Sequence, residues 1–397
     1  MIEVAGGEPG PVADCHLDQR DSGDPVRICY LIDNLDVAGT EQHLLRLVRG
    51  LDQTAFQPVL VLLDGSGARS QRLEPAECPV HRLQVKSFRS PAILSSILKF
   101  ARFLKRENVD ILEMYFPDST LFGALSGRLA GVPVRLRTRR NAGYWMTGSH
   151  RWRGRLVSRL VQWTIANNEI SRDTVIEQEK ASRESVIVIP NGVDTQRFAE
   201  AAERRRPEPT GPARIGMLAN LRPVKRIGDF ISAATRLLEQ RDDVEFVVAG
   251  EGPCREALQQ QIKQTPFAGP IRLVGVVEDV PEFLGQLDML VVCSESEGLS
   301  NSVLESMAAG LPVVATDVEG NRTLLADGQR GLLWPVGDVT ALATAISRLV
   351  DDPVLAHALG QAGRDYVQQH CSQRNMIGQY QSVYRRLVNQ VKPGGRR

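Results

Sequence analysis

The segment richest in chemistry reads CSESEGLSNSVLE from Cys293 to Glu305, followed by an apolar stretch that passes through Gly310, Leu311 and Pro312. An apolar run ends at Cys293, a polar loop with Gly298 follows, and then a helical pattern begins. A helix that starts in such a loop presents free backbone N–H groups and the positive end of its dipole, which suits a phosphate. Glu297 sits in the loop and Glu305 in the first turns of the helix, so both carboxylates can face one crevice. Each also has a local reading. Glu297 can be a solvated loop carboxylate, and Ser302-x-x-Glu305 is the pattern of a capping box.

Three other loops deserve the same weighing. Ala219 to Arg226 reads ANLRPVKR. There Arg222 supplies a planar fork and Lys225 a point charge, both suited to a diphosphate. The other reading is an exposed basic turn. Leu35 to Glu41 reads LDVAGTE, in which Gly39 permits close backbone approach at a helix start, a pattern shared by many strand-to-helix turns. Tyr115 to Ser119 reads YFPDS, where Asp118 is either an acceptor-site acid or a turn-forming Asp after proline.

Several chemistries are disfavoured. No GxGxxG follows an apolar run, and Gly250-Glu251-Gly252 lacks the third glycine of a dinucleotide fingerprint. There is no GxxxxGK[ST] phosphate loop and no Asp-x-Asp to clamp a divalent ion, so no metal and no cofactor is expected. The six cysteines form no CxxC pair and the six histidines no HExxH, which disfavours a zinc site or a disulfide framework. Buried, hydrophobe-like cysteines in a reducing cytoplasm are expected instead.

The elements that must position these loops alternate in type. Short β-branched runs fall at 26–32, 58–63, 110–115, 134–138, 165–167 and 185–189, with helical patterns at 41–50, 93–107 and 121–130 between them. A charged, proline-rich stretch at 200–212 reads as a linker or exposed loop. The alternation then restarts, with strands at 215–219, 244–249, 271–276, 289–293, 312–316 and 332–335, and helices at 228–239, 254–264, 280–286, 302–309 and 339–349. Alternation of this kind predicts an α/β fold with parallel sheets covered on both faces. A length of 397 residues calls for two such domains. Doubly wound domains bind ligands at the carboxyl ends of their strands, which is where the four loops lie.

Composition is that of an ordinary folded chain, 42% hydrophobic and 24% charged with a net charge of +1, which argues against a polyanion binder such as a nucleic-acid protein. No apolar run is long enough to span a membrane. Residues 1–25 are acidic, contain Gly and Pro, and read as a disordered tail rather than a secretory signal.

Taken together and in this order, the segments resemble the retaining GT-B glycosyltransferases of family 4. The most specific part is Glu297 through Glu305 with the following MAAGLPVVAT, which looks like the family's Glu-x7-Glu signature. The IPNGVD stretch from Ile189 to Asp194 is similar to its interdomain hinge, and VAGEGP from Val248 to Pro253 to its Gly-x-Gly-Pro loop. The resemblance implies a GT-B architecture of two Rossmann-like domains. An acceptor domain would span 26–190, completed by a C-terminal helix at about 376–393, and a nucleotide-sugar domain would span 191–375. It implies transfer of a sugar from a nucleoside-diphosphate sugar, with UDP or GDP expected, to a hydroxyl of a glycan or lipid-linked acceptor with retention, as in polysaccharide biosynthesis. Glu297 would touch the donor sugar, the backbone of Gly298, Leu299, Ser300 and Asn301 would surround sugar and diphosphate, and Glu305 would hold the ribose. Lys225 would neutralise the leaving diphosphate, and Gly39 would approach it from across the cleft. The family's phosphate-binding Arg falls here on Asn220, with Arg222 two residues later. Where many members carry a His, this chain has the segment containing Asp118.

Two other classes fit the same fold. A nucleotide-sugar epimerase would turn over donor alone, and a non-catalytic nucleotide-sugar binder would not need Glu297 and Lys225 together. A last feature is the stretch from Ser119 to Asn168, which holds nine arginines and no acid. Within it Trp152, Leu156, Leu160 and Trp163 recur at helical spacing. That is the pattern of a basic amphipathic helix, pointing to peripheral contact with an anionic membrane surface, on its cytoplasmic side. The competing reading is a helix packed on the sheet with its arginines solvated or lining the cleft.

Overall fold

The computed structural model describes residues 24–391, except 37–38, 86–87, 89, 91, 141–147 and 204–210. The acidic tail and the core of the proline-rich stretch therefore lie outside the described residues. The helix Thr195–Glu203 runs into the latter from its N-terminal side.

Two all-parallel sheets form the frame. The first contains β1 (Val26–Ile32), β2 (Phe56–Leu62), β3 (Val80–Arg82), β4 (Ile111–Met114), β5 (Val134–Arg139), β6 (Trp163–Ala166) and β7 (Val186–Val188), in the order β3-β2-β1-β4-β5-β6-β7. The second contains β8 (Ala213–Leu218), β9 (Val244–Ala249), β10 (Ile271–Gly275), β11 (Met289–Val292), β12 (Val313–Thr316) and β13 (Leu332–Trp334), in the order β10-β9-β8-β11-β12-β13. Helices cover both faces, because the central strands bury both of their sides. In β1, Ile28, Tyr30 and Ile32 enter one core cluster while Cys29 and Leu31 enter the opposite one. This is the two-residue alternation of a strand, with apolar side chains on both faces. Cys29, Cys78, Cys293 and Cys371 are buried, unpaired thiols within these cores.

Strand order reverses between β1 and β4 in the first sheet and between β8 and β11 in the second. In doubly wound sheets the crevice opens at such a reversal. The segments that follow these four strands, loops together with the helix starts they lead into, contain Gly39, Asp118, Arg222 with Lys225, and Glu297 through Asn301.

The chain crosses between the sheets twice, and the crossings run side by side. Val193 N donates to Cys371 O at 2.9 Å, and Gln373 N donates to Val193 O at 2.8 Å. After the second crossing, helix Gln373–Val391 lies in the core of the first sheet through Met376, Ile377, Tyr380, Val383, Tyr384 and Leu387. Its polar anchor is buried. Tyr384 OH donates to Glu113, a fully buried carboxylate on β4 that also accepts from Tyr115 OH at 2.8 Å and Thr138 Oγ1 at 2.6 Å. Burial pushes the Glu113 carboxyl up, and the three hydroxyl donors oppose that shift. A buried carboxylate is tolerable only when its lone pairs are satisfied in this way.

The arginine-rich stretch divides between two roles. Helix Gly148–Leu160 contains Trp152, Leu156 and Leu160, but Trp163 begins β6 and does not extend the helical stripe. Helical spacing alone cannot register that the chain turns after Leu160 and pairs with β5. Arg137 and Arg139, on β5, point inward to Glu179 at 2.6 and 3.5 Å. They are structural ion pairs, whereas Arg153, Arg155 and Arg159 are exposed on the helix.

Candidate active site

In the second domain the site is built from three loops locked together by glycines. Gly250 and Gly252 have φ of 138° and 159°, and a Cβ on either would collide with the backbone of Ala219 or Leu221. This close approach, with Leu221 N donating to Glu251 O at 2.9 Å, presses the loop after β9 against the loop after β8. The 3-10 turn Pro223–Lys225 then projects Lys225, and Arg226 behind it adopts a left-handed conformation and pairs with Asp229 at 2.7 Å. On the other side of the reversal, Gly320 lets the backbone of Glu297 and Gly298 approach so closely that a Cβ there would lie 2.2 Å from Gly298 O.

These supports bring Lys225 and Glu297 into contact, with Nζ 2.5 Å from Oε1. Helix Asn301–Ala308 begins immediately after, with Ser300 at its N-cap. The Ser300 side chain makes no capping bond; its hydroxyl meets Ser302 Oγ at 3.1 Å. Since the helix starts before Ser302, the capping-box reading of Glu305 fails. Glu305 instead reaches across the cleft to Arg46 Nη2 at 3.1 Å, and Arg46 Nη1 donates to Gly192 O at 3.3 Å. Burial raises the Glu305 carboxyl above the ordinary value, and Arg46 pulls it back. Glu305 is 8% exposed, so this cation supplies the charge compensation that water does not.

The backbone of the loop is held from the hinge. Asn191 Nδ2 donates to Leu299 O at 3.2 Å and to Asn301 Oδ1 at 2.8 Å. Opposite Asn301 stands Gly39, the first residue of helix Gly39–Gly50, where a Cβ would lie 2.7 Å from Asn301 Nδ2. A side chain at Gly39 would press on Asn301 across the cleft.

Two expected residues stand apart. Arg222 is exposed and in no ion pair among the described residues; its carbonyl accepts from Lys225 N at 2.9 Å. Asp118 is exposed in the first turn of helix Pro117–Ala130, with Pro117 at N1, so it is a helix-start residue and no turn residue. It lies near Asp33, whose carboxyl burial pushes up, Ser119 steadies and Asp118 pushes up again. Phe116, just before, has φ of 63°, an uncommon conformation for an aromatic residue.

Arg46, Asp33, Glu41 and Arg140 carry no sequence signal of a role. Glu41 is buried on the first turn of helix Gly39–Gly50, with Oε2 unpartnered among the described residues. Burial pushes its carboxyl up to about 7, with Asp36 and Asp33 adding to the shift and Arg140 opposing it. Arg46 and Glu41 could be found only by knowing which helix faces the second domain.

No group of three or more His, Cys, Asp or Glu side chains suited to a metal occurs among the described residues, and no helix there is long and apolar enough to cross a membrane. Two facing doubly wound domains, with Lys225 and Glu297 paired at the strand reversal of one and Gly39 approaching from the other, form the GT-B architecture. Residues 38–192 match the family model of the glycosyl transferase 4-like domain, and residues 212–352 that of the glycosyl transferases group 1. The chain belongs to this glycosyltransferase family.

The chain is 26% identical to the Mycobacterium tuberculosis GDP-mannose-dependent alpha-mannosyltransferase, over 92% of this chain and 99% of that protein. It is also 26% identical to the Escherichia coli UDP-Gal:alpha-D-GlcNAc-diphosphoundecaprenol alpha-1,3-galactosyltransferase, over 66% of this chain and 72% of that protein. Among solved structures it resembles Anabaena HepE in complex with UDP, with a TM-score of 0.79 and 19% identity, covering 91% of this chain and 100% of that one.

Proposed function

We propose that this glycosyltransferase moves a sugar from UDP- or GDP-sugar to a hydroxyl of a glycan or lipid-linked acceptor, with retention at the anomeric carbon and without a metal. The observation that carries the reading is the Lys225–Glu297 pair at the strand reversal of the second sheet, beside the Glu305–Arg46 pair and the Gly39–Asn301 approach that bridge the cleft. The second domain takes the donor: Glu305 accepts from ribose hydroxyls, Glu297 orients the sugar, and backbone amides from Gly298 to Asn301 line sugar and diphosphate. The first domain takes the acceptor, near Asp118. The donors of the two bacterial relatives, UDP-galactose and GDP-mannose, support a nucleotide sugar, and the diphosphoundecaprenol acceptor of one supports a lipid-linked substrate.

In the reaction the bond between the anomeric carbon and the β-phosphate oxygen breaks, and its electron pair leaves on the diphosphate. Positive charge develops at the anomeric carbon while negative charge grows on the leaving oxygen. Lys225 and the fixed amides bind that oxygen more tightly as the bond breaks, which lowers the barrier. The acceptor oxygen attacks from the same face, and its proton passes to the departing phosphate. On this reading the enzyme works at the cytoplasmic side of the membrane, held there peripherally.

A calorimetric panel of UDP, GDP and ADP, followed by transfer assays with and without chelator, tests this reading. One nucleoside diphosphate should bind, the matching donor should be consumed only when acceptor is present, and chelator should leave the rate unchanged. Conversion of donor alone to an isomeric nucleotide sugar would make the protein an epimerase. Loss of activity in chelator, restored by magnesium or manganese, would overturn metal independence.

A further inference from the structure

Three neighbouring helices cover one face of the first sheet: Ala92–Arg106, Pro117–Ala130 and Gly148–Leu160. They bury Phe100 and Leu104, Phe122 and Ala124, and Val157 in a common core, while helix Gln373–Val391 occupies the opposite face. Their outer sides are unusual. Each presents an exposed apolar pair spaced i, i+4: Leu94 and Leu98, Leu125 and Leu129, Trp152 and Leu156. Leu94 is 66% exposed and Trp152 65% exposed, so these are outward-facing side chains and not the rim of the core. Single exposed apolar residues need no explanation, but three pairs on adjacent helices form a patch, and patches mark interaction sites.

The charge around the patch is of one sign. Helices Ala92–Arg106 and Gly148–Leu160 contain no Asp or Glu, and Pro117–Ala130 contains only Asp118, at its cleft end. Exposed Arg102, Lys105, Arg128, Arg153 and Arg159 form no ion pair with another described residue. A second copy of this chain would bring the same cations onto themselves. An anionic lipid surface instead supplies the missing counter-charge, and its acyl region takes the leucines and Trp152.

We propose that this three-helix face is the membrane-docking surface of the enzyme. It rests on the reading of a lipid-linked acceptor and adds how such an acceptor is met. Helix Pro117–Ala130 begins at the cleft, beside Asp33, and carries Leu125 and Leu129 along its outer side. At 1.5 Å per residue, Leu125 lies only about 12 Å along the helix from Pro117. A protein docked on this face holds the acceptor end of its cleft close to the headgroups.

The test is sedimentation of the full chain with vesicles of phosphatidylcholine, alone or mixed with anionic phosphatidylglycerol, at low and high salt. The wild type should pellet with the anionic vesicles at low salt and be released by high salt. Leu98→Glu/Leu129→Glu/Trp152→Glu, which alters only exposed positions, should lower the partition coefficient at least about tenfold, since each charge near such a surface is worth about 1 kcal/mol. Val354→Glu, at an 80% exposed position of the second domain, should pellet as the wild type does. Calorimetry with UDP and GDP reads the cleft separately and should be identical in all three proteins. A triple variant that pellets like the wild type, or a wild type that stays in the supernatant, overturns the docking face without touching the donor site. A wild-type dimer in analytical ultracentrifugation that the triple variant abolishes would assign the patch to a second copy and overturn the lipid proposal. Failure of nucleotide binding alone would count against the proposed function and leave the docking face standing.

Discussion

Lys225 and Glu297 form an ion pair with Nζ 2.5 Å from Oε1, joining the loops that follow β8 and β11 across the strand reversal of the second sheet. The side chains are 26% and 11% exposed, so the pair is reachable from the cleft yet shielded enough for its charges to matter. On the proposed function a diphosphate entering there would share the ammonium with Glu297, and this ties together the behaviour expected of the two residues.

Glu297→Gln should lower turnover by about 10²–10³, the scale for one well-placed electrostatic group. Nucleoside-diphosphate affinity should be unchanged or higher, because Lys225 is released from its carboxylate. Steady-state kinetics and calorimetry check both halves. Turnover within about threefold of wild type would remove Glu297 from the catalytic machinery.

Lys225→Ala should weaken nucleoside-diphosphate binding by about 1.5–3 kcal/mol, the range for a hydrogen bond to a charged group. A nucleoside without phosphates should bind almost as before. Equal weakening of both ligands in calorimetry would contradict a diphosphate role.

The Arg46–Glu305 pair makes a prediction about pH. Burial raises the Glu305 carboxyl and Arg46 lowers it. Removing the cation in Arg46→Met therefore raises it further, and the ionised form, which the proposed function assigns to the ribose hydroxyls, appears only at higher pH. The acidic limb of the kcat/KM profile should move to higher pH in Arg46→Met, and Glu305→Gln should lower nucleotide affinity at all pH values. An acidic limb that stays in place would show that the pair is only a strut between the domains.

Glu41 governs a stability window. Its carboxyl is pushed up from 4.5 to about 7, mainly by burial. Between these values the unfolded chain has released the proton while the native state retains it, so the native state binds more protons and stability falls as pH rises. The loss amounts to about 3 kcal/mol between pH 4.5 and 7. Denaturant midpoints measured across this range should show a smaller decline for Glu41→Gln than for wild type. Parallel curves would mean that Glu41 titrates normally.

Much of the frame was legible because its signals are local. The largely apolar runs at 26–32 and 244–249 coincide with β1 and β9, since a strand buried on both faces is apolar over most of its length, here all but Arg27 and Glu245 near the strand starts. The three-residue β3 escaped notice because two of its residues are exposed, and an edge strand needs no continuous apolar run. Helix Pro353–His370 was missed for a related reason: among its residues only Leu359, Gly360, Gly363 and Val367 are buried, so the apolar stripe is thin.

The residue types at the site, Glu297, Lys225, Glu305 and the glycines, were visible in the chain because loops after strands must carry the chemistry of a doubly wound fold. Local patterns could not assign their partners. Ser302 and Glu305 have the spacing of a capping box, yet Glu305 pairs with Arg46, distant in sequence and on the other domain. Asn191 meets Asn301, and Gly39 faces the same side chain, through contacts that exist only once the two sheets face each other. By itself the sequence determined the strands, the helices and the loops that hold reactive groups, because hydrophobic period and turn chemistry act over a few residues. Only tertiary structure decided which carboxylate meets which cation, because that depends on strand order and domain packing, and these bring together residues that no short-range preference links.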